Sequence, residues 1–261
     1  MHVVERGSGT PIVLLHGFGV DHRILLPLDP VLESEGGWRR LYVDLPGTAG
    51  TPVGTVAGAE DVVAAVEDEL ERRLGGEPFA LLGSSFGGMV ARRVAHDLRP
   101  RVLGLAALAA VFVADHARRE VPERTVLVED RDAVAGLGAA GGEYAETAVV
   151  QSADGARLFA EHVLPGVRSA DPVGLARIAR RYALEREPEE ASPEPFVQPS
   201  LFVSGRQDQV VGYRDAWVRV GHYPRAAFAV LDAAGHNVHL DRSGLVAALV
   251  ADWLRRMRTV P

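Results

Sequence analysis

The chain contains no cysteine, which excludes disulfides, thiolate catalysis and Cys-ligated metal sites together. It also lacks lysine: all 28 basic residues are arginine, so neither a lysine Schiff base nor a Lys-bearing phosphate loop is available. No apolar run approaches the roughly 18 to 20 residues needed to span a bilayer. The segment Met1–Arg6 lacks a basic stretch followed by an uninterrupted apolar one, so no signal peptide is expected and a cytoplasmic location is the default. A formal charge of −7 supplies no wide basic footprint, which argues against a nucleic-acid partner.

What is present is ordinary for a globular protein. The 261 residues suit one large α/β domain, or a core with one inserted subdomain. Short continuous apolar runs recur at Thr10–Leu15, Leu41–Asp44, Phe79–Leu82, Val102–Leu108, Ser200–Ser204 and Ala226–Leu231, as expected of strands buried on both faces. Between them lie segments with one apolar face. Val63, Val66, Leu70 and Leu74 form one stripe, and Leu245, Leu249, Val250, Trp253, Leu254 and Met257 another. Strands alternating with helices imply a mostly parallel central sheet flanked by helices.

The alternation breaks between about Val111 and Pro195. Asp171-Pro172 reads as a helix start, with Asp as N-cap and Pro at the first helical position. It puts Leu175, Ile178, Ala179 and Tyr182 on one face and Arg177, Arg180 and Arg181, a solvated surface, on the other. A further helix is expected around Gly155–Leu164. The expected organisation is therefore a core over residues 1–110, an inserted helical cap over 111–195 and a returning core over 196–261, with Glu185–Pro199 as the acidic return linker.

Gly83-Ser84-Ser85-Phe86-Gly87 matches G-x-S-x-G, directly after one predicted strand and directly before a predicted helix at Met89–Leu98. In that context the glycines permit a turn tight enough to project Ser85 from the sheet, and the helix N-terminus favours developing negative charge. Ser84 is out of register and reads as a turn residue. With this motif the sequence resembles the α/β-hydrolase fold over essentially its whole length. His16-Gly17-Phe18-Gly19 is similar to the family's oxyanion loop, and Asp44-Leu-Pro-Gly47 to the turn after its next strand. Gly205-Arg-Gln-Asp208 is similar to the acid loop, and Gly235-His236-Asn-Val-His239 to the histidine loop. The order Ser85, Asp208, His236 is the order this resemblance implies.

The resemblance implies Ser85 as nucleophile, His236 as general base and Asp208 as the acid that orients it, because a serine hydroxyl attacks only when a neutral imidazole takes its proton. Asp115 is the competing acid and His239 the competing base. His16 is expected to be a structural hydrogen-bonder. Backbone N–H groups of Phe18 and Phe86 are expected to form the oxyanion hole. Phe159 and His162 are expected to line the substrate pocket. No metal or cofactor is expected, since no third ligand stands at a recognised spacing from the His236–His239 pair.

The reading is a serine hydrolase forming an acyl-enzyme, carboxylesterase-like, on a small to medium apolar ester. C–C bond hydrolase, lactonase, thioesterase and perhydrolase chemistry stay open on the same triad, as does a small-molecule receptor that retains it. The expected partner is a small-molecule substrate, without nucleic acid or membrane, in an unspecified oligomeric state. Two departures stand out: only one short strand fits before Thr10, and Thr48-Ala-Gly-Thr51 replaces a Gly-x-Gly pattern.

Overall fold

The computed structural model describes residues 1–259. Seven strands form one sheet in the order β1-β3-β2-β4-β5-β6-β7. They are β1 (Val3–Arg6), β2 (Thr10–Leu15), β3 (Trp38–Val43), β4 (Phe79–Ser84), β5 (Val102–Leu108), β6 (Ser200–Gly205) and β7 (Ala226–Leu231). Only β1 runs antiparallel, pairing Val3 with Val43 and Arg6 with Arg40. The single short strand before Thr10 is therefore an edge strand. β4 is buried along its entire length and β2 at every position after Thr10, which is why these segments read as unbroken apolar runs.

The helices are α1 (Asp29–Ser34), α2 (Ala59–Leu74), α3 (Phe86–Asp97), α4 (Arg131–Gly136), α5 (Gly141–Thr147), α6 (Ala153–Leu158), α7 (Leu164–Ser169), α8 (Pro172–Ala179), α9 (Pro188–Ala191), α10 (Arg214–Arg219), α11 (Val238–Asp241) and α12 (Ser243–Thr259). Helices α4 to α9 all fall between β5 and β6, so the irregular middle of the sequence is a helical insertion. Among the described residues no helix is long and apolar enough to cross a membrane.

Three local expectations need correction. Leu245 is exposed, and Val246 takes its place on the buried face of α12, because 246, 250, 253 and 254 share one helical stripe whereas 245 lies about 100° out of phase with 246. The helix expected over Gly155–Leu164 is α6 running into α7 through one widened π turn at Phe159–Val163. Helix α8 starts as expected, the Asp171 carboxylate accepting from the N–H groups of Val173 and Gly174, but it ends at Ala179. Tyr182 lies beyond it. Arg177 is not simply solvated: its guanidinium donates to the carbonyls of Val56 and Gly54.

The acidic return segment is tied into the core by a buried ion network. Arg92 on α3 is wholly buried and donates to Glu187 at 2.8 Å, to Glu189 at 2.6 and 2.9 Å and to the Val111 carbonyl at 2.9 Å. Its guanidinium also stacks 3.8 Å from the Phe112 ring. Burial alone would raise the Glu189 carboxyl, but the Arg92 charge overrides it and holds it down at about 2. Removing one partner of such a pair leaves an uncompensated buried charge. Arg92→Ala should therefore lower unfolding free energy by about 3 to 5 kcal/mol in urea titrations. A loss below about 1 kcal/mol, the scale of an exposed pair, would contradict this account.

Candidate active site

β4 ends at Ser84 and α3 begins at Phe86, so Ser85 alone makes the turn, at φ +53° and ψ −120°. A residue with a β-carbon is strained in that region. The strain is held by hydrogen bonds on both sides. Ser85 N–H donates to the Leu108 carbonyl at 2.9 Å, and its own carbonyl accepts from Gly88, Met89 and Val111. The flanking glycines are steric necessities. A β-carbon on Gly83 would stand 2.3 Å from the Gly87 carbonyl oxygen, and one on Gly87 would stand 2.3 Å from the carbonyl oxygens of both Leu15 and His16.

Asp208 follows β6 and is fully buried. One carboxylate oxygen accepts from the N–H groups of Val210 and Val211, at 2.8 and 3.1 Å. The other lies 3.1 Å from His236 Nδ1, and His236 Nε2 lies 2.9 Å from Ser85 Oγ. A carboxylate at Nδ1 keeps the proton on that nitrogen and leaves Nε2 to accept from the serine hydroxyl. The competitors sit elsewhere. Asp115 is exposed and accepts from Ala117 N–H at the start of a short turn. His239 is buried and donates from Nε2 to the Ile24 carbonyl at 2.8 Å, with burial pushing it down to about 4. Ser84, the last residue of β4, does line the same cavity as Ser85, but it makes no hydrogen bond to His236.

The opposite wall is the loop after β2. Gly17 packs so closely on Ser85 that an added β-carbon would lie 3.2 Å from its Cβ. His16, buried and lowered in pKa by that burial, bridges this loop to the next. Its Nδ1 donates to the Gly17 carbonyl at 2.7 Å and its Nε2 accepts from Leu45 N–H at 2.9 Å. The unusual Thr48–Thr51 turn closes on itself through Thr51 N–H to the Thr48 carbonyl, 2.9 Å. The Phe18 and Phe86 rings meet edge to face at 5.3 Å, and Tyr182 packs on them at 5.4 and 4.9 Å. Tyr182 is the residue the sequence reading placed only on an apolar stripe; burial pushes its phenol up to about 12.

Ser85, His236, Gly17 and Phe18 open onto a cavity of about 250 Å³. Val20, Ile24, Val163 and Val167 make it largely apolar, and besides His236 its ionisable lining side chains are Glu143 and Glu146. Phe159 lines it; His162, three residues along the same π turn, does not. Phe159, Thr147 and Asn237 also line a second cavity of about 110 Å³, behind which stand Tyr144, Leu158 and Asp241. Phe159 is thus part of a partition between two spaces.

Comparison with known proteins agrees with this architecture. The family model described as alpha/beta hydrolase fold matches residues 10–243. A pimeloyl-[acyl-carrier protein] methyl ester esterase of Legionella pneumophila is 35% identical over 102 residues, 39% of this chain and only 38% of that protein. One of the same name from Nitrosomonas europaea is 28% identical over 90% of this chain and 92% of its own. An alpha/beta superfamily hydrolase from Oenococcus oeni superposes with a TM-score of 0.91 at 23% identity, covering 98% of this chain and 96% of its own. The chain belongs to the α/β-hydrolase fold family.

Asp241 gives the histidine loop a measurable pH signature. Its carboxylate accepts from Gly235 N–H at 2.8 Å. Burial, helped by the nearby Asp208 charge, pushes it up to about 6 against that hydrogen bond. A carboxyl raised in the folded state adds stability that is full below its unfolded pKa near 4 and is lost as pH rises through about 6. Asp241→Asn keeps an acceptor for Gly235 and should gain on the wild type in stability by about 3 kcal/mol between pH 4 and 8. Parallel stability curves for the two proteins would contradict it.

Proposed function

We propose that the chain is a serine esterase that passes through an acyl-enzyme on Ser85. The observation that carries this reading is the unbroken relay from Asp208 through His236 to Ser85 Oγ at the floor of the 250 Å³ cavity. Ser85 Oγ attacks the ester carbonyl carbon while His236 Nε2 takes its proton. The tetrahedral oxyanion accepts hydrogen bonds from the backbone N–H groups of Phe18 and Phe86; the latter stands at the first position of α3, where no intrahelical acceptor exists. His236 returns the proton to the departing alkoxide, then activates the water that releases the acid and frees Ser85. The methyl ester esterase names of the relatives support ester over C–C, lactone, thioester or perhydrolase chemistry.

The helical insertion acts in this proposal as the cap that shapes the acyl site, spanning about residues 111–195. An apolar wall with Glu143 and Glu146 as its acidic members favours an uncharged acyl chain over one ending in a carboxylate. The substrate class is therefore small to medium neutral esters. Turnover of such esters also separates an enzyme from a receptor that merely keeps the triad.

Two experiments test this. Fluorophosphonate should label the wild type once, at Ser85; Ser85→Ala should lose both labelling and turnover of p-nitrophenyl esters, whereas Ser84→Ala keeps both. Labelling that survives in Ser85→Ala overturns the nucleophile. Phe159→Ala should join the two cavities and move the kcat/KM optimum to longer acyl chains, each accommodated methylene adding about 1 kcal/mol or somewhat more. A folded Phe159→Ala enzyme with an unchanged chain-length profile would return that ring to a packing role.

A further inference from the structure

Outside the catalytic cavity, at the edge of the sheet, two imidazoles converge on one buried carboxylate. His2 Nδ1 lies 2.5 Å from Asp44 Oδ2, and His22 Nδ1 lies 2.9 and 3.0 Å from the two Asp44 oxygens. One ligand atom from each residue falls within 4.8 Å of the others, and this is the one such group of three His or acidic side chains among the described residues. We propose that His2, His22 and Asp44 form a binding site for a zinc-class divalent cation, taking both Nδ1 atoms and one Asp44 oxygen and leaving a fourth position for water. Two imidazoles and a carboxylate are a donor set suited to zinc and to its first-row neighbours.

The site is built rather than fortuitous. Asp44 N–H donates to the His2 carbonyl at 3.0 Å, extending the β1–β3 ladder so that the two ligands are held side by side. Thr51 fixes the same two backbones, its hydroxyl accepting from His2 N–H at 2.8 Å and donating to the Asp44 carbonyl at 2.7 Å. His22 N–H donates to Asp44 Oδ1 at 2.9 Å, which orients the carboxylate. Backbone fixing of this kind is what lowers the cost of assembling a metal site. Asp44 is fully buried, while the His2 side chain is 46% exposed and that of His22 13%, so an ion has an approach from solvent on the imidazole side.

On taking up an ion the rings exchange their Nδ1–H hydrogen bonds to Asp44 for bonds to the metal. To coordinate through Nδ1, each neutral imidazole must carry its proton on Nε2, and among the described residues neither Nε2 has a protein partner. A metal at bond lengths of about 2.0 to 2.1 Å needs ligand atoms roughly 3.3 Å apart. The His22 contacts of 2.9 and 3.0 Å must widen by a few tenths of an ångström and the 2.5 Å His2 contact by about 0.8 Å, the larger move falling on the half-exposed His2 ring. The site also touches the catalytic machinery at one remove. His16 Nε2 lies 3.9 Å from Asp44 Oδ1, and His16 holds the Gly17 carbonyl.

The test is calorimetric titration of tag-free, chelator-treated full-length protein with zinc chloride, paired with thermal unfolding. The expected result is one saturable equivalent in the wild type and in His236→Ala, with a zinc-dependent rise in Tm. His2→Ala and His22→Gln, the latter keeping a donor for Asp44, should each weaken binding by roughly 100-fold or more. Circular dichroism of both variants shows whether they are folded. Absence of saturable binding, equal affinity in the folded variants, or loss of binding in His236→Ala instead would overturn the site and leave His2 and His22 as hydrogen-bond donors alone.

Discussion

The structure turns on the contact between the nucleophile turn and the loop after β2. Gly87 lies against the carbonyls of Leu15 and His16, and Gly17 lies against Ser85 itself. At Gly87 backbone meets backbone with no room for a methyl group, and at Gly17 the fit on the Ser85 side chain is tight. Ser85 meets this loop with a positive φ. The strain is local and is opposed by hydrogen bonds from β5 and from Val111. Such strain persists only where its surroundings over-determine it.

The remaining features serve to keep that contact rigid. His16 hydrogen-bonds across to Leu45 and Thr48, so the Thr48–Thr51 turn and the loop after β2 form one unit. Tyr182, arriving from the insertion, covers Phe18 and Phe86 together. A few residues on, Glu187 and Glu189 fasten the return segment to Arg92 on α3, the helix that follows Ser85. The insertion is therefore anchored to the same helix that begins at the Ser85 turn. Its position over the cavity and the stability of the core are coupled through one buried guanidinium.

Much of this was legible in the sequence because it is local. The apolar runs become the buried strands, since a strand covered on both faces has no polar side to show. The Asp171 cap works as its residue types predict. G-x-S-x-G is readable because both glycines are required by contacts within a few ångströms. What escaped depends on long-range packing. Leu245 and Val246 are both apolar, and only the docking of α12 decides which is buried. Arg92 looks like a surface arginine of α3 until acids nearly a hundred positions away are brought to it. The π turn that places Phe159 on the cavity wall and His162 off it breaks the regular helical period expected over Gly155–Leu164. His2, His22 and Asp44 have no common spacing at all: the β1–β3 pairing brings His2 beside Asp44, and the turn after β2 delivers His22 to the same carboxylate.

The central claim is that Ser85 carries a covalent acyl group in the course of ester hydrolysis. Rapid quenching of the enzyme during turnover of a p-nitrophenyl ester, followed by intact-protein and peptide mass spectrometry, measures this directly. The account predicts a burst of p-nitrophenol stoichiometric with enzyme and the mass of one acyl group on the peptide containing Ser85. Turnover with no adduct, in a protein whose deacylation has been slowed by substituting deuterium oxide for water, or an adduct on another residue, would contradict it.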